Sequence, residues 1–379
     1  MSFNWVSSDN VLLLNPRLPA ETRSHYERAW KNLVEPSFEY QIGIATSGSS
    51  GDQGRLIALS KSSLLVSAHA VNERLRITQR DVWYKTLPDY HVGGLGIRAR
   101  AHLSGSSVVE SKMEKWDASA AYQELLNSRA TLTAMVPTQL FDFVKLDLRA
   151  PPMLRAVVIG GGRLEKDLHS RALNLGWPAL PSYGLTECCS QVATAVSQYE
   201  LGLKPLGHVD LRIGEGDRIE ISSASLLTGQ VVFDARMNSY FTDPKIEGWF
   251  RTEDRGQIDE KGILTVLGRT QDFVKVGGEG VVLSKLEEIL ERVRLQTGFG
   301  HDVAVLAAED ERLGAKIVFI TDANAEALEI LVEKFNSAVM PFERVRSVHR
   351  VASLPRSSIG KLLRVQALSL VGLKPVSHD

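Results

Sequence analysis

Six consecutive residues, Ser182-Tyr183-Gly184-Leu185-Thr186-Glu187, put a flat ring, a hydroxyl and a carboxylate close together. Those groups suit a nucleotide and its metal. Tyr183 can lie against a purine, Gly184 lets backbone approach a ligand, Thr186 can donate to a phosphate oxygen, and Glu187 can hold a divalent cation. A second stretch, Thr46-Ser47-Gly48-Ser49-Ser50-Gly51-Asp52-Gln53-Gly54, has the composition of an anion cradle. Its glycines expose backbone N–H groups and its hydroxyls add donors. The Gly-Lys-Ser/Thr ending of a strand-to-helix triphosphate loop is missing, because Gly54-Arg55-Leu56 follows, so that motif is excluded. A flexible serine-glycine linker is the alternative, but linkers are seldom held between two alternating apolar runs. Phosphate binding is the favoured reading.

Stepping outward from these groups, runs 38–45 and 55–59 read as strands that enter and leave the second stretch, and Ser60 caps a helix over 61–75. A lead-in helix over 19–33 carries Tyr26, Trp30 and Leu33 at helical spacing. Between 81 and 183 strands (82–87, 107–109, 131–136, 154–159, 179–183) alternate with helices (118–127, 137–145, 164–175). That order implies α/β architecture, a mainly parallel sheet layered with helices. Ligands collect at the strand carboxyl ends of such sheets. Gly160-Gly161-Gly162 follows one strand and Gly184 another, so two glycine turns open on one crevice.

Beyond 206 the short runs 208–213, 218–222, 229–233, 249–251, 257–258 and 263–266 read as a small β subdomain. Gly268-Arg269-Thr270-Gln271-Asp272 then leads into a small α+β unit. Its strands are 303–306 and 316–320, and its helices are 285–295, capped by Ser284, and 325–339. A chain of 379 residues suggests two or three domains. With 44 Lys and Arg against 45 Asp and Glu, charge offers no footprint for nucleic acid. The two cysteines, Cys188 and Cys189, are adjacent, which excludes a disulfide framework and metal-ligand spacing and suits small buried side chains. Met1 to Trp5 opens no basic-then-apolar leader, and no apolar run reaches bilayer length, so a cytoplasmic protein without membrane partner is expected.

Five separated stretches, 46–51, 183–187, 249–256, 268–280 and 355–364 (Pro-Arg-Ser-Ser-Ile-Gly-Lys-Leu-Leu-Arg), follow one pattern. In them the chain resembles the adenylate-forming superfamily of acyl-CoA synthetases, luciferases and peptide-synthetase adenylation domains. Leu87-Pro88, His91-Val92-Gly93-Gly94, Val136-Pro137-Thr138-Gln139-Leu140, Asp254-Arg255-Gly256 and Gly277-Gly278-Glu279-Gly280 are most similar to its o-succinylbenzoate–CoA ligase branch, of menaquinone biosynthesis.

The resemblance implies that a carboxylic acid attacks the α-phosphate of ATP and that CoA then displaces AMP. It implies Thr46 to Gly51 on the β- and γ-phosphates, Mg²⁺ under Glu187, and Thr186 on the α-phosphate. Adenine would lie between Tyr183 and Gly160 to Gly162, and Asp254 would accept the ribose hydroxyls beside Arg269. It further implies Lys361 bridging carboxylate and α-phosphate, and Gly277, Gly278 and Gly280 leaving room for pantetheine. His91 would stand where acyl and pantetheine paths meet. Gly184 would line the acid's site, and Arg100 would take the second carboxylate of the acid. Arg98 competes for that role, and a structural ion pair is equally open. An N-terminal domain over 1–268 and a mobile C-terminal domain over 269–379, hinged near Asp272, complete the implied organisation.

Two features depart from the family. Asp52-Gln53-Gly54-Arg55 stands where proline and lysine usually continue the phosphate loop, which leaves open whether Arg55 substitutes. Only 45 residues precede that loop, against well over a hundred in the family, so a pocket left open, covered differently or completed by a second subunit is expected. Another acid–CoA ligase, a carrier-protein-loading enzyme and a silent nucleotide-binding homologue are the competing readings.

Overall fold

The computed structural model describes residues 3–46, 54–113, 115–234, 238–269, 272–357, 360 and 362–376, with the backbone alone for 325–327. By backbone proximity the chain divides into two compact units. The first comprises 1–215, 219–252 and 257–265; the second comprises 216–218, 253–256 and 266–379.

In the first unit, five parallel strands stand in the order Ser107–Glu110, Val82–Lys85, Leu132–Met135, Ala156–Ile159, Ala179–Leu185. Ser190–Ala195 then adds antiparallel to Ala179–Leu185, and Leu203–Pro205 antiparallel to that. Strand side chains alternate between faces, and the alternation is visible here. Tyr84, Val157 and Ile159 enter a core with Leu125, Leu140, Phe143 and Leu168 of helices Ala118–Asn127, Pro137–Lys145 and Lys166–Asn174. Trp83 faces the other way, under helix Val92–Ser104.

A second sheet has the order Val11–Leu13, Gln41–Thr46, Arg55–Ser60, Gly229–Phe233, Ser239–Thr242. Of the short β pieces expected as one subdomain, 229–233 therefore departs and joins the hairpin of Gln41–Thr46 and Arg55–Ser60, followed by Ser239–Thr242. Register decides this. Gly229 to Val231 pair with Ala58 to Leu56, and a Cβ on Gly229 would lie 2.3 Å from the Phe241 ring.

The second unit opens on the hairpin Phe273–Val276 and Glu279–Val282, turned by Gly277 and Gly278, both at positive φ. Strand Gly314–Thr321 pairs antiparallel with Val303–Asp310 and parallel with Val345–Arg350. Val305, Ile317 and Phe319 bury one face against helices Leu283–Thr297 and Ala325–Ala338. Leu306, Val318 and Ile320 bury the other against Ala367 and Leu368 of helix Arg364–Leu370. Ser284 does not cap its helix: Val282 holds the cap position, and the Ser284 hydroxyl donates to the Leu267 carbonyl at 3.2 Å.

Candidate active site

Because Leu132–Met135, Ala156–Ile159 and Ala179–Leu185 are neighbouring parallel strands, their carboxyl ends share one edge. Val136-Pro137 and Gly160 to Gly162 leave the sheet there, and Ala179–Leu185 runs on through Gly184 into the turn at Thr186-Glu187. Ser182 ties two of these turns together, its hydroxyl donating to the Ile159 carbonyl at 3.0 Å. Gly160 lies against that hydroxyl and Gly161 against Val136, where added Cβ atoms would stand 3.1 and 3.3 Å away. The two glycine turns that the sequence places at strand ends thus stand side by side at one sheet edge.

Gly184 carries the tightest constraint. The pairing of Ala179–Leu185 with Ser190–Ala195 shifts register between Tyr183 and Gly184, and a Cβ on Gly184 would come within 1.8 Å of the Ser190 carbonyl oxygen. Only glycine fits that approach. Past it, Thr186–Cys188 forms one 3-10 turn closed by Cys189 in the left-handed region at φ 54°. Tyr183 is 8% exposed, and the Glu187 carbonyl accepts from Leu227 N at 2.7 Å. Cys188 and Cys189 are both buried, and burial pushes the Cys189 thiol up.

The hairpin that holds the hydroxyl-rich loop packs against the same turn, through strand Arg55–Ser60 on Thr186–Cys188. Thr46 ends one arm and Arg55 begins the other, opposite each other in register. Ser47, Gly48, Ser49, Ser50 and Gly51 lie outside the described residues. Among the described residues no group of three His, Cys, Asp or Glu could hold a metal. Glu187 alone still suits Mg²⁺, which keeps several waters and is commonly bound by one or two carboxylates plus phosphate oxygens.

Helix Val92–Ser104, which sequence periodicity missed, presents the acyl-side candidates. Gly93, Gly94 and Gly96 weaken its helical signal. They are there for packing: a Cβ on Gly94 would meet the Pro88 and Leu87 carbonyl oxygens at 2.3 and 2.4 Å. His91 holds the N-cap position.

Arg98 and Arg100 go to opposite sides of this helix. Arg98 donates to Asp89 at 2.7 Å and to both oxygens of Glu110 at 2.9 Å, beside Lys85, which is 3.0 Å from Asp89. Its fork is occupied, so Arg98 drops out as a competitor for a substrate carboxylate. Arg100 is 2% exposed, over the Trp83 ring at 5.7 Å, with one hydrogen bond to Ser190 Oγ at 3.3 Å and an unbonded Nε. Among the described residues no carboxylate pairs with it, and burial lowers it to about 10. Ser190 escaped the sequence reading because its strand shows no strong alternation of apolar residues.

Burial also lowers His91 to about 4. A folded value below the unfolded 6.5 means the unfolded chain takes up the proton first. The stability contribution is full above about pH 6.5 and is lost as pH falls toward 4. The thermal midpoint is therefore expected to drop across that window, less steeply in His91→Gln; identical slopes in the two proteins would refute the assignment.

In the second unit, Arg269 Nε stands 3.6 Å from Asp254 Oδ1, the side chains 42% and 17% exposed. A pair so exposed adds little stability. Asp272 is buried, accepting from Arg269 N at 2.9 Å and from the Arg364 guanidinium, which also reaches Glu287 at 2.6 Å. Gly277, Gly278 and Gly280 lie in the opening hairpin. Lys361 lies outside the described residues.

The sequence profile of the AMP-binding enzyme family matches residues 44–221. The 2-succinylbenzoate–CoA ligase of Bacillus cytotoxicus is 26% identical over 376 residues, covering 94% of this chain and 76% of its own. Among solved structures, o-succinylbenzoate CoA synthetase from Bacillus subtilis with its acyl-adenylate intermediate superposes at TM-score 0.78. That chain is 22% identical, over 94% of this chain and 82% of that one. The same enzyme with ATP and magnesium ion gives TM-score 0.71 and 24% identity, over 86% and 69%.

Proposed function

From this kinship with the AMP-binding, adenylate-forming enzymes, we propose that the chain is an AMP-forming acid–thiol ligase that converts o-succinylbenzoate to its CoA thioester, a step of menaquinone biosynthesis. In the first half-reaction a carboxylate oxygen bonds to the α-phosphorus of ATP and the bond to pyrophosphate breaks. In the second the CoA thiolate bonds to the acyl carbon and AMP leaves. A carboxylate oxygen leaves poorly; AMP leaves well, which is why activation comes first.

The observation that carries the reading is the meeting of Gly160 to Gly162, Tyr183 to Glu187 and the Thr46 hairpin at one edge of the first unit. Tyr183 and the Gly160 turn would sandwich adenine, Thr186 would donate to the α-phosphate, and Thr46 would begin the grip on the β- and γ-phosphates. Glu187 would hold Mg²⁺, which neutralises phosphate charge when bound. Asp254, with Arg269 beside it, would accept the ribose hydroxyls. Arg100 would receive the second carboxylate of the acid, and His91, neutral at physiological pH, would line the meeting of acyl and pantetheine paths. Such an enzyme would work in the cytoplasm, where ATP and CoA are both present.

Pyrophosphate release across aromatic and aliphatic acids, with and without CoA, tests the proposal. Acid-dependent release greatest with o-succinylbenzoate, and thioester only with CoA, is expected. Preference for another acid would reassign the substrate, thioester on a carrier protein alone would reassign the acceptor, and ATP binding without acid-dependent release would leave a silent homologue.

Asp272 is the proposed hinge. Proline there fixes φ near −65° and lacks the N–H. Asp272→Pro is expected to slow one half-reaction at least about tenfold and spare the other, with Asp272→Asn separating backbone from carboxylate effects. A proline variant fast in both halves would remove the hinge assignment.

A further inference from the structure

The strands whose carboxyl ends carry the Gly160 and Gly184 turns also have amino ends, and a pocket of about 290 Å³ opens there. Ala156, the first residue of one strand, and Pro178 and Leu180, at the start of the next, line it with the loop that follows Ser190–Ala195. At roughly 3.3 Å per residue, strands of four and seven residues set it about 13–23 Å from the glycine turns. It lies at the opposite edge of the sheet.

Part of the lining is apolar. Leu75, Pro178 and Leu180 belong to it, and so do Val196 and Tyr199, which are 54% and 78% exposed. The charged part is two arginines with different commitments. Arg155 donates to both oxygens of Asp81 at 2.8 and 2.9 Å and to the Leu75 carbonyl at 2.7 Å, so its charge is answered. Arg74, in the last turn of helix Lys61–Leu75, meets only carbonyls. Its Nη1 donates to Thr194 at 2.7 Å and Lys204 at 3.3 Å, and its Nη2 to Pro205 at 2.9 Å. Among the described residues no carboxylate pairs with Arg74, and its Nε has no acceptor. Glu200, in the neighbouring loop, accepts from Ser197 Oγ at 3.2 Å instead. Burial lowers Arg74, as expected of a cation short of both water and counter-charge.

These features describe a ligand. A planar carboxylate matches a guanidinium fork, and a flat ring matches an apolar lining with an exposed tyrosine. An inorganic anion would use the arginine and leave the apolar lining empty. The volume, at the low end for ligand pockets, admits a single ring. We propose that the pocket lined by Arg74, Leu180, Val196 and Tyr199 is a second ligand site, for a small aromatic carboxylate held by Arg74 and packed against Tyr199. The site is separate from the one assigned to ATP and the acid, and it does not depend on the ligase reading.

Photolabelling of the full chain with 4-azidobenzoate, mapped residue by residue by mass spectrometry, tests this. Label is expected within 195–199, half-saturating at about 1 mM, a range open to a ligand of about a dozen heavy atoms. Excess benzoate should suppress it, whereas equal concentrations of inorganic phosphate or benzylamine should not. Arg74→Met should lower labelling there at least about tenfold, since a charged donor is lost. Should losing three carbonyl bonds unfold that variant, Val196→Glu carries the test from an exposed position. Its carboxylate in the lining should repel the probe and lower labelling at least about tenfold. Label confined to 182–187, label within 195–199 that survives Val196→Glu, or protection by phosphate or benzylamine as strong as by benzoate overturns the proposal. Acid-dependent pyrophosphate release, on which the ligase reading depends, is untouched by each of those results.

Discussion

Lys361→Ala is expected to lower adenylate formation about a thousandfold, the loss typical of removing a preorganised charge from a developing transition state. Thioester formation from a supplied acyl-adenylate should remain largely intact. The asymmetry follows from where charge accumulates. In the first half-reaction a carboxylate must approach an α-phosphate that is itself anionic, and an ammonium between them offsets the repulsion. In the second, the thiolate attacks an acyl carbon whose leaving group is already in place, so that ammonium has no equivalent task. Pyrophosphate release measures the first step, and CoA-dependent AMP release from synthetic acyl-adenylate measures the second. An equal loss in both would mean that Lys361 maintains structure rather than bridging the reacting groups.

Local signals made three helices of the first unit legible. Ser60 accepts from Ser63 N at 3.0 Å, Asp117 accepts from Ala120 N at 2.7 Å, and Pro137 opens its helix at the first turn. Those side chains act within three residues, so helices Lys61–Leu75, Ala118–Asn127 and Pro137–Lys145 begin where the sequence says they do. The glycine turns at the strand ends were legible for a related reason, since strand, glycine and helix alternate in order along the chain.

What escaped depends on pairing and packing rather than on local propensity. Strand Ser190–Ala195 exists because Ala179–Leu185 offers it a partner, and no local propensity announces that. Gly229–Phe233 follows the same rule, taking its place by pairing with Arg55–Ser60. Helix Val92–Ser104 was hidden by glycines that its packing requires, and with it went the means of choosing between two arginines. Residues two apart on a helix point about 200° away from each other, given 3.6 residues per turn. Arg98 and Arg100 therefore could not share a role once the helix was known, whereas in an unassigned stretch they were interchangeable.

That separation sets up the second large effect. Arg100→Leu is expected to lower kcat/KM for o-succinylbenzoate about a hundredfold, since truncating one partner of a buried, hydrogen-bonded charge pair costs about 2–5 kcal/mol. Turnover of a plain benzoate, which lacks the second carboxylate, should change far less. In the protein alone the guanidinium is desolvated, has an unbonded Nε, and finds no carboxylate among the described residues. A buried cation of that kind is unfavourable by itself, so its removal should leave the thermal midpoint unchanged or raise it. A structural ion pair would behave in the opposite way, because deleting one member strands the other and lowers stability by about 3–5 kcal/mol. Activity against the two acids and the thermal midpoint therefore give a paired readout. Selective loss on the dicarboxylate with an undiminished midpoint assigns Arg100 to the substrate, and equal loss on both acids with a lower midpoint assigns it to the fold.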